Sequence, residues 1–344
     1  MEFLVSFFQT AHWVPLILFF IAGLAILGKS ADIIVDVAVA LSLKLKISRL
    51  IIGATVISLG TTLPEVCVSV LASLQGHGHI ALGNSVGSII CDTALILGLA
   101  ILIGRIPIDQ NLVKRQGWIQ LGAGFFLVFF CLKNWSWSLS ANQGGHLPQV
   151  FGFISLILLA FYLFFSIYWA KQSKRKTDHS LDDHESGKKK PTNILLLKLG
   201  IFCLLLAFSS EILILSASEM AGRLNIPESI VAVTIIALGT SLPELVTSIT
   251  AVRKGFGEIA LGNIIGADIL NVLLVAGASV AFSKEGFFVE KIFFTRTFPV
   301  MLISLVVLRV GLMLSKNYIH KSVGAALFLF YLFFTYLNIS DMLA

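Results

Sequence analysis

Two glutamates lie where a lipid-facing chain should carry no charge. Glu65 and Glu244 sit deep in apolar runs, within the motifs GTTLPE and GTSLPE. A carboxylate at the centre of a bilayer helix costs at least about 2.5–3.5 kcal/mol, and neither motif contains a lysine or arginine to offset that cost. Two such acids brought together would repel and take up protons unless a cation sat between them. A metal ion or protons are therefore the options, and the spacing favours a metal. Thr61 stands four residues before Glu65 and Thr240 four before Glu244, which places hydroxyl and carboxylate on one helix face. Pro64 and Pro243 lack the N–H that would bond the carbonyls of Gly60 and Gly239, so backbone oxygens are freed beside the acids. Two carboxylates, two hydroxyls and loosened carbonyls make an all-oxygen set. Calcium, with about six to eight oxygen ligands, suits it better than magnesium with its rigid octahedron.

A second motif follows each acid. In GNSVGSIICD, Ser85, Ile89 and Asp92 fall at i, i+4 and i+7, and in GNIIGADILN the same places hold Ile264, Asp268 and Asn271. Gly83 and Gly87, like Gly262 and Gly266, form GxxxG pairs that let helices approach closely. Asn84 and Asn263 either ligate the ion or hydrogen-bond the broken helices.

The elements that must position these residues are membrane helices. The 344 residues are 57% hydrophobic and only 13% charged, about half the charge of a soluble domain. Apolar segments fall near 13–43, 49–76, 79–103, 117–133, 148–170, 193–222, 228–253, 258–283, 296–314 and 321–340. Shifting the chain by 179 residues lays Ile51–Gly98 over Ile230–Gly277 without a gap, with 22 of 48 positions identical, including VISLGTTLPE over IIALGTSLPE. Five spans per half is odd, so the second copy enters the membrane inverted, and inverted repeats place their site at the midplane. The expected fold is an all-α polytopic membrane protein of ten transmembrane helices in two inverted five-helix repeats. Residues 1–170 and 193–344 would form the halves, joined by a charged linker at 171–192.

With that linker cytoplasmic, ten basic residues in short loops and seven in the linker make 17 inside, against five outside. This asymmetry puts both termini outside, in a membrane expected to be the plasma or inner membrane. The N-terminal residues lack the basic region and cleavage site of a signal peptide. The four cysteines show no CxxC spacing and read as buried small hydrophobes.

The paired motifs resemble the two alpha-repeats of the calcium/cation antiporter superfamily, and most closely a prokaryotic sodium/calcium exchanger. By that resemblance Thr61, Glu65, Thr240 and Glu244 would coordinate calcium. Sodium would share the acids and use Ser58, Thr62, Ala237 and Ser241, with Ser85 and Asp268 as sodium or accessory positions and Asn84, Asp92, Asn263 and Asn271 as secondary candidates. The usual GSN of the first repeat is here Gly87, Ser88, Ile89, an apolar replacement whose symmetry mate, Asp268, keeps its acid. The resemblance also implies that the first and sixth spans slide across the other eight.

The expected function is secondary antiport of calcium against sodium, with a proton- or potassium-coupled cation/calcium exchanger as the alternative. No enzymatic activity and no cofactor are expected, since the chain has no GxGD or HExxH motif. The expected partners are lipid and inorganic cations, not nucleic acid. Asp32 and Glu211 read as packing or helix-end acids, and Asp36 and Glu219 as facing water or a neighbouring helix. His77 and His79 read as ordinary loop histidines. Trp135, Trp137, Tyr162, Tyr168 and Trp169 read as an interfacial belt.

Overall fold

The structure, a computed structural model, describes residues 7, 8, 10–174, 191–224 and 239–343. Ala237, most of the charged linker and the start of the seventh apolar segment lie outside the described residues. The described chain is helical almost throughout. We number the helices α1 (Trp13–Leu45), α2 (Arg49–Thr61), α3 (Leu63–Leu74), α4 (Gly78–Ile103), α5 (Gln110–Cys131), α6 (Trp137–Gln143), α7 (Gln149–Lys174), α8 (Thr192–Arg223), α9 (Leu242–Arg253), α10 (Gly257–Ala281), α11 (Phe293–Leu314) and α12 (Lys321–Leu343). Among the described residues, seven helices are long and apolar enough to cross a membrane, or eight if the bent pair α2 and α3 is one span. Helix α5 is also long enough but less apolar, because it carries Lys114, Arg115, Gln116 and Gln120. Helix α7 continues to Lys174, so the first residues of the charged stretch extend a helix.

Two helices form the centre. In the apolar window of α10, 94% of residues are buried, and in α4 72%, against 28% in α1 and 39% in α8. The last two pack lengthwise on each other at the periphery. Small residues let the central helices sit close to their neighbours. A Cβ on Gly262 would stand 2.1 Å from the Leu50 carbonyl oxygen, and one on Gly266 2.4 Å from that of Ala54, so the second GxxxG pair seats α10 on the backbone of α2.

Several contacts recur between corresponding segments of the two halves. Gly98 of α4 crosses Gly324 of α12, and its repeat mate Gly277 of α10 crosses Gly152 of α7. The connections behave likewise. Strand β1 (Gly145–Leu147), after the fourth apolar segment, pairs antiparallel with β2 (Phe287–Val289), after the eighth. Pro107, after the third, bridges to Tyr318, after the ninth. These two pairings lie at opposite ends of α5, whose 22 residues extend about 33 Å, close to the thickness of a bilayer core.

Replacing Gly266 by Val should force α10 away from α2 and destabilise the protein by about 1–3 kcal/mol or more. Thermal unfolding of the detergent-purified protein should show a clearly lower midpoint; an unchanged midpoint would argue against this close seating.

Candidate cation site

The glutamates occupy matching places at breaks in helices. The chain bends by 46° between α2 and α3, and Thr62 at the break has left helical geometry (φ −80°, ψ 0°). Ser241, its repeat mate, does the same before α9 (φ −87°, ψ 6°). Proline follows within the first turn of each new helix, and so does the acid, Glu65 in α3 and Glu244 in α9. A carboxylate in a first turn faces the positive end of the helix dipole, which offsets part of the cost of burial. Both glutamates are 1% exposed.

The surrounding hydrogen bonds cross between the halves. Thr61 shares its hydroxyl proton between the Ser58 carbonyl and Asn263 Oδ1, 3.3 Å from each. Its mate Thr240 donates to Asn84 Oδ1, also at 3.3 Å. Thr62 reaches across to Glu244 Oε1 at 3.3 Å, whereas its mate Ser241 interacts with Asp92 and Cys91. The Asn84 amide donates to Ser69 Oγ at 2.9 Å and to the Glu65 carbonyl at 3.4 Å. Both asparagines thus hydrogen-bond the broken helices.

Three of the four glutamate oxygens, Glu65 Oε1 and Oε2 and Glu244 Oε2, have no hydrogen-bond partner among the described residues. Glu65 interacts electrostatically with Glu244 and Asp92, and Asp92 with Glu244 and Asp268. Among the described residues, no three His, Cys, Asp or Glu side chains converge tightly enough to hold a metal by themselves. An ion here would need the hydroxyl, amide and carbonyl oxygens as well.

Beside the glutamates, Asp92 and Asn271 are repeat mates that meet each other, the Asn271 amide donating to Asp92 Oδ2 at 3.4 Å. Each stands at the start of a π-helical stretch, Cys91–Leu97 and Asn271–Ala276. Such wide turns inside helices are frequent at functional sites. The Ser85 hydroxyl donates to the Asn271 carbonyl at 2.5 Å. Asp268 accepts from Thr93 and, at 2.5 Å, from Gln120. Ser58 is buried and offers its carbonyl to Thr61.

The sequence reading missed Ser69, Ser210, Thr93 and Gln120. The Ser210 hydroxyl takes up the freed Gly239 carbonyl at 2.8 Å. Ser69 was readable one turn beyond Glu65 on the same face, and Gln120 as half of an i, i+4 glutamine pair in an otherwise apolar helix. One reading is corrected: Tyr162 does not belong to the belt but is 5% exposed, its hydroxyl 3.1 Å from the Ala54 carbonyl and 3.2 Å from Gln116 Oε1. Trp135 and Trp137 are exposed. Lys254 Nζ bonds the Asp32 carbonyl at 2.9 Å and Asp36 Oδ1 at 2.8 Å, and Glu219 pairs with Arg223 at 2.7 Å. These acids serve packing between elements and along a helix. His77 and His79 are exposed, His77 immediately before α4 and His79 in its first turn.

The fold and the buried oxygen cluster define a polytopic helical membrane protein of the ion-transporter class. The family model for sodium/calcium exchanger protein matches residues 15–168 and 194–340, and the chain belongs to that family. It is 33% identical to the Escherichia coli inner membrane protein YrbG over 82% of this chain and 84% of that protein. It is 30% identical to the sodium/calcium exchanger MaX1 of Methanosarcina acetivorans over 92% of this chain and 96% of that one. Among solved structures, the sodium-calcium exchanger NCX_Mj superposes with a TM-score of 0.75 at 26% identity, covering 94% of this chain and 98% of that chain.

Removing one buried, unpaired carboxylate should relieve repulsion in the ion-free protein. Glu65→Gln is expected to raise the thermal midpoint in calcium- and sodium-free buffer by about 2 °C or more, and to abolish the further rise on adding calcium. A lower ion-free midpoint, or a retained calcium response, would contradict this arrangement.

Proposed function

We propose that the chain is a secondary antiporter that exchanges calcium for sodium at one midplane site, with Glu65 and Glu244 as its charged ligands. The observation that carries this reading is the reciprocal pair of bonds, Thr61 to Asn263 and Thr240 to Asn84, around glutamates whose oxygens are largely unpartnered. In a symmetric pair, residue i of one copy meets residue j of the other and j meets i. The same exchange appears in the glycine crossings and in the loop pairings at opposite ends of α5. It supports ten spans arranged as two inverted five-span repeats, residues 1–170 and 193–344. The 171–192 linker is cytoplasmic in this arrangement, and both termini are outside.

Calcium takes Thr61, Glu65, Thr240 and Glu244, with freed backbone carbonyls completing the shell. Sodium shares the acids and draws on Ser58, Thr62, Ala237, Ser241, Ser85 and Asp268. Competition for one pair of carboxylates couples the two fluxes, because the acids cross the membrane neutralised by one ion or the other. The peripheral pair α1 and α8, packed on each other, is the element that moves across the buried core. A ligand shifts such an equilibrium only as far as it binds the two states differently.

In proteoliposomes loaded with sodium, radioactive calcium uptake should require the outward sodium gradient, and Glu244→Gln should reduce it at least about 100-fold, the loss of roughly 2.7 kcal/mol or more of ion stabilisation. Uptake driven equally by a pH or potassium gradient would replace sodium as the coupling ion. Full uptake by the variant would remove Glu244 from the site.

A further inference from the structure

We propose that Gln120, which lies outside both acidic motifs, is a positioning residue for the Asp268 carboxylate and through it sets how well a monovalent cation competes with calcium. This inference rests on the antiport reading above and extends it to α5, a helix that supplies none of the glutamate or hydroxyl ligands. Asp268 is 2% exposed and Gln120 4%. The Gln120 amide and the Thr93 hydroxyl both donate to one carboxylate oxygen, Oδ2, while Oδ1 has no partner among the described residues. Two donors from different helices on a single oxygen fix the plane of the carboxylate, so Oδ1 has one direction. Asp268 also interacts electrostatically with Glu244, which puts that oxygen's charge within reach of the glutamate pair.

The device exists on one side only. The repeat mate of Asp268 is Ile89 and that of Thr93 is Val272, so the other half offers an apolar pair. A symmetric duty, like that of the two glutamates, is therefore excluded for Asp268. Thr61, Thr240 and Glu244 have their own hydrogen bonds, none of them to α5. Gln116, one turn earlier, meets the Tyr162 hydroxyl, which also meets the Ala54 carbonyl, so α5 is held in place against α2 and α7. As a neutral amide, Gln120 orients the carboxylate without adding another buried charge.

The test compares purified wild type with Gln120→Leu, Gln120→Asn and Thr93→Val, following thermal unfolding in calcium chloride, sodium chloride, potassium chloride and choline chloride as the ionic-strength control. Gln120→Leu should need at least about fivefold more sodium for half-maximal stabilisation, the scale of one hydrogen bond to a charged group, with calcium half-saturation within about twofold of wild type. Gln120→Asn, which keeps the donor, should fall between, and Thr93→Val should shift sodium in the same direction. Equal shifts for both ions, or an unchanged sodium response, would overturn the role of Gln120 alone. If potassium and not sodium stabilises the wild type, the same comparison is read with potassium. A wild type that responds to no monovalent cation beyond choline would overturn this inference and the sodium coupling together, whereas a wild type that fails to respond to calcium would count against the calcium site itself.

Discussion

The structure depends on the cost of holding two carboxylates in a medium that cannot solvate them. Burial without a partner would expel or neutralise such groups, yet Glu65 and Glu244 are both almost fully buried and neither forms a salt bridge among the described residues. What surrounds them is a set of dipoles: the N-termini of α3 and α9, whose first turns hold the two acids, and the Thr62 hydroxyl that donates to Glu244. That arrangement lowers the cost without discharging it. The remaining deficit is what a cation would supply.

Nearly every other feature serves that constraint. The breaks at Thr62 and Ser241 bring helix ends into the protein interior, and irregular backbone in a membrane protein is tolerated only if it is enclosed by protein or lines a cavity. Enclosure comes from α4 and α10, the two most buried spans, which approach their neighbours through glycine. Crossed bonds between the halves tie each threonine to the other repeat's asparagine. The pair is therefore built jointly, and neither half holds a complete site. Asymmetry enters at the edges: Ser210 caps the Gly239 carbonyl while its mate is Ala31, and Asp268 faces polar groups where Ile89 does not.

Much of this was legible in the chain because the strongest signals were local or repeated. Glu65, Pro64 and Thr61 sit within five residues of one another, and a second copy 179 residues on marked them as a unit. The GxxxG pairs pointed to close packing, and the Gly262–Gly266 pair does seat a helix on a backbone, whereas the Gly83–Gly87 pair does not: a Cβ on Gly87 would meet nothing within 4 Å and one on Gly83 only Phe293 at 4.0 Å. Contacts between distant, unrepeated segments left no such trace. Gln120 reaches Asp268 across 148 positions, and Tyr162 looked like an interfacial aromatic because amphipathic rings serve equally well at a membrane surface or as a buried donor. The bonds of Asn84 to Thr240 and Ser69, at the two ends of its side chain, likewise left no trace in the sequence.

The central claim is that both glutamates together hold one divalent cation. Equilibrium binding of radioactive calcium to the purified protein in sodium-free buffer tests it most directly. One calcium per chain, displaced by sodium and lost in either Glu65→Gln or Glu244→Gln, is the predicted result. Calcium binding that survives in the double variant, or two independent calcium ions each lost with only one glutamate, would contradict it.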